Sequence, residues 1–170
     1  TWGKFVRRVR RVKETATTQM TASYETLKRS VRVLRKRNRV RFILAPMSLI
    51  GPKLKTNLDR IDKFDRLDIL INNAGINSYK SIEEIDLETW NRTIAVTLTG
   101  TFICTRLALP AMQSQGSGNI INIASVAPWL GRGTIDYNAA KSGVLAITRS
   151  IARQYGPNGI RCNTIAPSVH

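Results

Sequence analysis

Between Gly3 and Gly51 the chain has no glycine. No backbone loop in that stretch can therefore cradle a phosphate as glycine-rich turns do. Cysteine is scarce too: Cys104 and Cys162 are the only two in 170 residues, too few for a disulfide framework. Neither stands at the Cys/His spacing that a zinc site needs, and the single histidine is His170. No metal site is expected, and two buried reduced thiols in a cytosolic (cytoplasmic) protein are. No run of 18 or more apolar residues occurs; the longest, around Leu67 to Ile71 and Ile120 to Ala124, are strand-sized, so no membrane span is expected. Acids are few, 11 against 27 Lys and Arg, for a net charge of +16.

That charge is very uneven. Residues 1–50 hold 14 basic residues against Glu14 and Glu25, whereas residues 51–170 hold 13 against nine, so the basic character belongs to one segment. With 42% hydrophobic residues and a mean hydropathy of -0.17, the chain can form one core of ordinary size, and disorder along its whole length is not expected.

From about Lys55 onward, strands and helices alternate. Leu67 to Ile71 is a short apolar run stopped by Asn72-Asn73-Ala74-Gly75, as expected of a buried parallel strand ending in a turn. Ser81 before Glu83 and Glu84 predicts a helix start, and a longer periodic stretch runs from about Leu87 to Met112, ended by Gly116-Ser117-Gly118. Asn119 to Ser125 reads as a strand, Asp136 to Tyr155 as a helix closed by Gly156-Pro157, and Ile160 to Ala166 as a third strand. Strands separated by helices imply an α/β fold: a doubly wound parallel sheet, Rossmann-like, here incomplete at both ends. Residues 1–50 differ: Phe5, Val6, Val9 and Val12 could line one helix face, and Val31, Leu34 and the cluster Arg35, Lys36, Arg37, Arg39 and Arg41 could extend another. No strand able to pair with Leu67 to Ile71 is expected there. The chain divides into a basic segment, 1–54, and an α/β part, 55–170.

Tyr137 and Lys141 stand four residues apart in a predicted helix and so share a face, while Ser125 ends the strand before it. Each pairing alone is weak, since a Tyr and Lys at this spacing are more often a surface pair. In this order and with Asn72 to Gly75 upstream, however, the residues resemble the short-chain dehydrogenase/reductase family. The resemblance covers Phe64 to Pro167: Leu67 to Gly75, Trp90 with Leu98-Thr99-Gly100-Thr101-Phe102, Ile120 to Ser125, Tyr137-Asn138-Ala139-Ala140-Lys141, and Ile160-Arg161-Cys162-Asn163 leading to Ala166-Pro167. Within the family it is most similar to the 3-oxoacyl-acyl-carrier-protein reductase type.

The resemblance implies interconversion of a carbonyl and an alcohol by hydride transfer with NAD or NADP. Tyr137 would be the general acid and base. A phenol titrates near 10, so proton transfer near neutrality requires lowering it by roughly 2 to 3 pH units, about 3 to 4 kcal/mol, a task for the Lys141 ammonium. Ser125 would hydrogen-bond the substrate oxygen. Asn73, Ala74 and Gly75 would line the adenosine side of the cofactor; Tyr137 and Lys141 would hold the nicotinamide ribose, and Pro167 and Ser168 the nicotinamide side. A small-molecule carbonyl or alcohol is the implied substrate and a homo-oligomer the implied assembly; nucleic acid is not an expected partner.

Three departures from the family pattern stand out. Thr97 takes the place of an asparagine, and a hydroxyl cannot offer an amide's carbonyl and NH2 together. Ser168 stands where the family has glycine. The glycine-rich turn that would set pyrophosphate on a helix N-terminus is missing from residues 1–54. That segment reads in three ways: a basic extension, an Arg-rich and acid-poor targeting peptide, or the family's own N-terminal half in another reading frame. Taking the last base of each codon with the first two of the next, Ala45 to Pro52 can spell A-D-V-S-D-W-P, similar to the family's A-D-V-[ST]-D. The alternative to an active reductase is then a non-catalytic truncated or frame-slipped remnant, or a basic binding module on a partial reductase fold.

Overall fold

The computed structural model describes residues 42–45 and 66–168, all within one compact unit, Arg41–Ser168. The helical faces read within residues 1–41, and all of residues 46–65, lie outside the described residues. Four strands form one parallel sheet in the order β1 (Phe42–Ala45), β2 (Ile69–Asn72), β3 (Gly118–Ile123) and β4 (Ile160–Ile165). The register runs Ala45 to Asn72, Asn72 to Asn122, and Asn122 to Thr164. Parallel strands need crossovers, and helices supply those from β2 to β3 and from β3 to β4.

The strand β1 corrects the expectation that nothing before residue 51 pairs with Leu67 to Ile71. Phe42-Ile43-Leu44-Ala45 is an apolar run long enough for a buried parallel strand, and the Arg/Lys cluster just before it drew the reading toward a helix instead. The edge of β2 is therefore covered. A second correction concerns Ser81. Its N–H donates to the Glu84 side chain at 3.0 Å and its carbonyl accepts from Ile85 N, but this closes a single turn only. The helix α1 (Leu87–Ile94) starts at Asp86, whose carboxylate accepts from Thr89 N at 2.7 Å and so caps the first turn.

From α1 the chain continues through a π-type turn, Ala95–Thr99, into α2 (Gly100–Ser114). In α2, Thr101, Cys104, Thr105, Ala108 and Met112 are buried at spacings of three and four, the stripe that faces the sheet. The run Leu87–Ser114 is long and apolar enough by length and composition to cross a membrane. Here its apolar stripe packs in the core with Leu67, Leu70, Ile120 and Ile160. A short helix α3 (Ala127–Leu130) follows β3, and α4 (Ile135–Tyr155) leads through a 3-10 turn, Gly156–Asn158, to β4. Both cysteines are free and buried.

Neighbouring strands follow one another in sequence, so right-handed crossovers carry α2 and α4 over the same face. A polar chain crosses that face. Asn72 Nδ2 donates to Thr105 at 3.1 Å and to Asn122 Oδ1 at 2.8 Å, while Asn122 Nδ2 donates to Thr148 Oγ1 at 2.8 Å. These bonds join α2, two central strands and α4 at one level. The carboxyl end of β3 meets the second turn of α4 where Lys141 reaches the Ile123 carbonyl, and the chemistry-bearing residues lie there.

Candidate active site

Ser125 follows β3, where its Oγ accepts from Ala127 N at 3.1 Å as the chain turns into α3. Tyr137 and Lys141 occupy the first two turns of α4. Lys141 is only 4% exposed, and its ammonium donates to the Ile123 carbonyl at 2.6 Å, at the end of β3. It also lies 5.7 Å from the centre of the Tyr137 ring. Burial without a counter-charge pushes Lys141 down to about 8 from its usual 10.5.

Tyr137 shows the opposite of the expected shift. Burial holds its phenol above 10.0, the Ser125 hydroxyl as hydrogen-bond partner pulls it down, and the nearby phenol of Tyr79 pushes it up. Burial thus outweighs the partner that favours the phenolate. Ser125 and Tyr137 are nonetheless brought together.

The turn after β2 closes the other side. A side chain on Gly75 would bring a Cβ within 3.2 Å of Lys141 Nζ and 3.6 Å of Thr97 Cγ2, so the backbone of this turn packs on the lysine. Asn73 and Ala74, half-buried, precede it in the same turn. Thr97 is wholly buried in the π-type turn; its hydroxyl accepts from Ile76 N at 3.1 Å and donates to Ile76 O at 3.4 Å. The lone hydroxyl thus supplies a donor and an acceptor to one backbone residue, a role that the sequence comparison with asparagine did not foresee. Pro167 presents its carbonyl to Val126 N at 3.2 Å, which puts it beside Ser125, and Ser168 is exposed as the last described residue.

The sequence reading missed a second set of residues. Asp136 is completely buried, with Oδ1 accepting from Ser78 Oγ at 3.0 Å and Oδ2 from Thr93 Oγ1 at 2.7 Å. Next to it, Asn77 Oδ1 accepts from Thr134 Oγ1 at 2.5 Å and from Tyr79 N at 3.0 Å. Tyr79, 51% exposed, holds a positive φ of 57°, a strained conformation for a large side chain. In the sequence Asp136 carries only the signal of an acid in a first helical turn.

Comparison with known proteins places the chain in a family. A family model described as short chain dehydrogenase matches residues 11–170, beginning inside the basic segment. A 3-oxoacyl-[acyl-carrier-protein] reductase of Synechocystis is 43% identical over 115 residues, 67% of this chain and 45% of that protein. A trans-4-hydroxycyclohexanecarboxylate dehydrogenase of Sinomonas cyclohexanicum is 44% identical over 108 residues, covering 63% and 41%. The crystal structure of an oxidoreductase (short chain dehydrogenase/reductase family) from Burkholderia thailandensis superposes with a TM-score of 0.63 at 27% identity, covering 68% of this chain and 45% of that one. The chain thus spans about half the length of the relatives it matches, and the half it spans includes the strand ends and the Ser125, Tyr137 and Lys141 cluster. With a Rossmann-like parallel sheet, this cluster and the family match over most of its length, the chain belongs to the short-chain dehydrogenase family of oxidoreductases.

Proposed function

We propose that this chain carries the reacting half of a carbonyl/alcohol oxidoreductase in which Tyr137 moves the proton. The observation that carries the reading is the convergence of the Ser125 hydroxyl, the Tyr137 phenol and the buried Lys141 ammonium at the carboxyl ends of β2 and β3. A small carbonyl or alcohol entering there has its oxygen between Ser125 and Tyr137. The Ser125 hydroxyl donates a hydrogen bond to that oxygen and stabilises the negative charge it gains. Tyr137 gives its proton to the oxygen in reduction and takes it back in oxidation.

The nicotinamide side of an NAD or NADP site fits the residues present. Lys141 uses one of its three N–H donors on Ile123 O, which leaves donors for ribose hydroxyls, and Gly75 lets the turn after β2 approach the ammonium without crowding it. Gly75, with Asn73 and Ala74, would hold the cofactor at the strand end, and Pro167 and Ser168 would border it near Ser125. When bound, the nicotinamide supplies or accepts the hydride. The Lys141 ammonium beside the ring is the positive charge that favours the phenolate when the proton leaves. By family resemblance the substrate is a small molecule and the assembly a homo-oligomer.

The test is turnover of a carbonyl panel with NADH and with NADPH by the chain and by Tyr137→Phe. Loss of at least about 100-fold in kcat, with the fold retained by circular dichroism, is expected for removal of the general acid. A phenylalanine variant as active as the parent overturns the assignment.

A further inference from the structure

Asp136 is an acceptor-only side chain, wholly buried, with no cation paired to it among the described residues. Burying an unpaired carboxylate is costly unless hydrogen bonds hold it. Here the donors come from separate parts of the chain: Ser78 from the loop after β2 and Thr93 from α1, while the carboxylate itself sits in the first turn of α4, where the helix dipole favours negative charge. The loop is held at three more points. Thr134 bonds Asn77, Thr97 bonds Ile76, and Gly75 packs on Lys141. Ser78 Oγ, besides donating to Asp136, accepts from Lys80 N at 3.3 Å. Residues 75–80 thus bracket the first two turns of α4, with Tyr137 inside the bracket and Asp136 as the point where loop, α1 and α4 meet.

We propose that Asp136 is a positioning residue, its carboxylate locking the Asn77–Lys80 loop and α1 to the helix turn that carries Tyr137, so that the phenol keeps a fixed aim at the strand ends. This deepens the reading of Tyr137 as proton carrier and rests on it. A carboxylate suits the task because both oxygens accept at once, so neither the Ser78 nor the Thr93 hydroxyl must give up its donor role. An asparagine offers one oxygen and forces one hydroxyl to turn.

The test uses the full chain with 13C-labelled tyrosine rings and amide hydrogen exchange, neither of which needs turnover. Asp136→Ala is expected to shift the Tyr137 ring signal, assigned by its loss in Tyr137→Phe, and to speed exchange at the Tyr79 and Lys80 amides at least tenfold. The Tyr155 signal, at the far end of the same helix, and exchange in β2 and β3 are expected to stay put. Asp136→Asn is expected to restore part of the loop protection. Should Asp136→Ala fail to fold, Ser78→Ala/Thr93→Val, which removes the loop and α1 donors and keeps the carboxylate with its Thr134 and Tyr137 N–H partners, is expected to show the same pattern. Unchanged Tyr137 and loop signals overturn the proposal, and so does an equal change at Tyr155 and in the strands, since that marks a general loss of packing. The Tyr137→Phe assay decides separately whether Tyr137 carries the proton.

Discussion

Lys141 shows how one residue couples the site to stability. Its value of about 8 in the folded chain, against 10.5 ordinarily, means that the unfolded chain binds more protons between those limits. The contribution of Lys141 to stability is therefore at its least favourable below pH 8 and improves as pH rises toward 10.5. Removing the charge with Lys141→Met is expected to stabilise the fold at pH 7 by up to about 3 kcal/mol, a gain that shrinks at pH 9. Above pH 9 the thiols of Cys104 and Cys162, pushed by burial up to about 12 and about 11, work in the other direction, so the comparison belongs between pH 7 and 9. Urea unfolding of both proteins at the two pH values checks this; parallel pH dependences contradict a buried, unpaired ammonium. Gly75 gives a second test. A methyl there meets the end of a flexible side chain, so Gly75→Ala is expected to keep the fold within about 1 kcal/mol, the scale of a typical single substitution, while shifting the ammonium by a few tenths of an ångström. Unchanged nicotinamide binding in that variant, by calorimetry, contradicts the placement of Gly75 against the cofactor.

Among the elements, the turn at Ala95–Thr99 carries the most consequence. A π-type turn inside a long helix re-aims one residue, and here it delivers Thr97 to the backbone of Ile76. Thr97→Val keeps the shape and removes the hydroxyl, leaving the partly buried Ile76 N–H without its partner. The expected cost is about 1 to 3 kcal/mol, read as a lower urea midpoint with an unchanged slope. A variant as stable as the parent shows that water replaces the hydroxyl. Most elements were legible from local pattern. Helix α4 was expected from 136 to 155 and runs Ile135–Tyr155; β3, expected from Asn119, starts at Gly118. Ser81 misled because a capping pair fits one turn as well as a helix, and only the packing of α1 decides which continues. β1 escaped notice because a four-residue apolar run beside a basic cluster has no period to read.

For the whole molecule, family membership and the activity of this chain are separate matters. On the proposed reading, residues 125, 137, 141 and 167–168 border the nicotinamide side and residues 73–75 the adenosine side, but the sequence has no glycine between Gly3 and Gly51 to cradle a pyrophosphate. Affinity for NADH or NADPH is therefore expected to be weaker than micromolar by calorimetry. Micromolar binding by the chain requires backbone donors elsewhere, and upsets the expectation.

The sequence by itself determined the family, the alternation of strands and helices, and the identity of Ser125, Tyr137 and Lys141, because these depend on residue type and on spacing along the chain. Only the tertiary structure decided that β1 covers the edge of β2, that Lys141 turns to Ile123 O, that burial raises the Tyr137 phenol, and that Asp136 binds Ser78 and Thr93. Those outcomes hang on contacts between residues 18 to 58 positions apart and on burial, which sets the cost of a charge. Neither quantity is written in any local stretch of sequence.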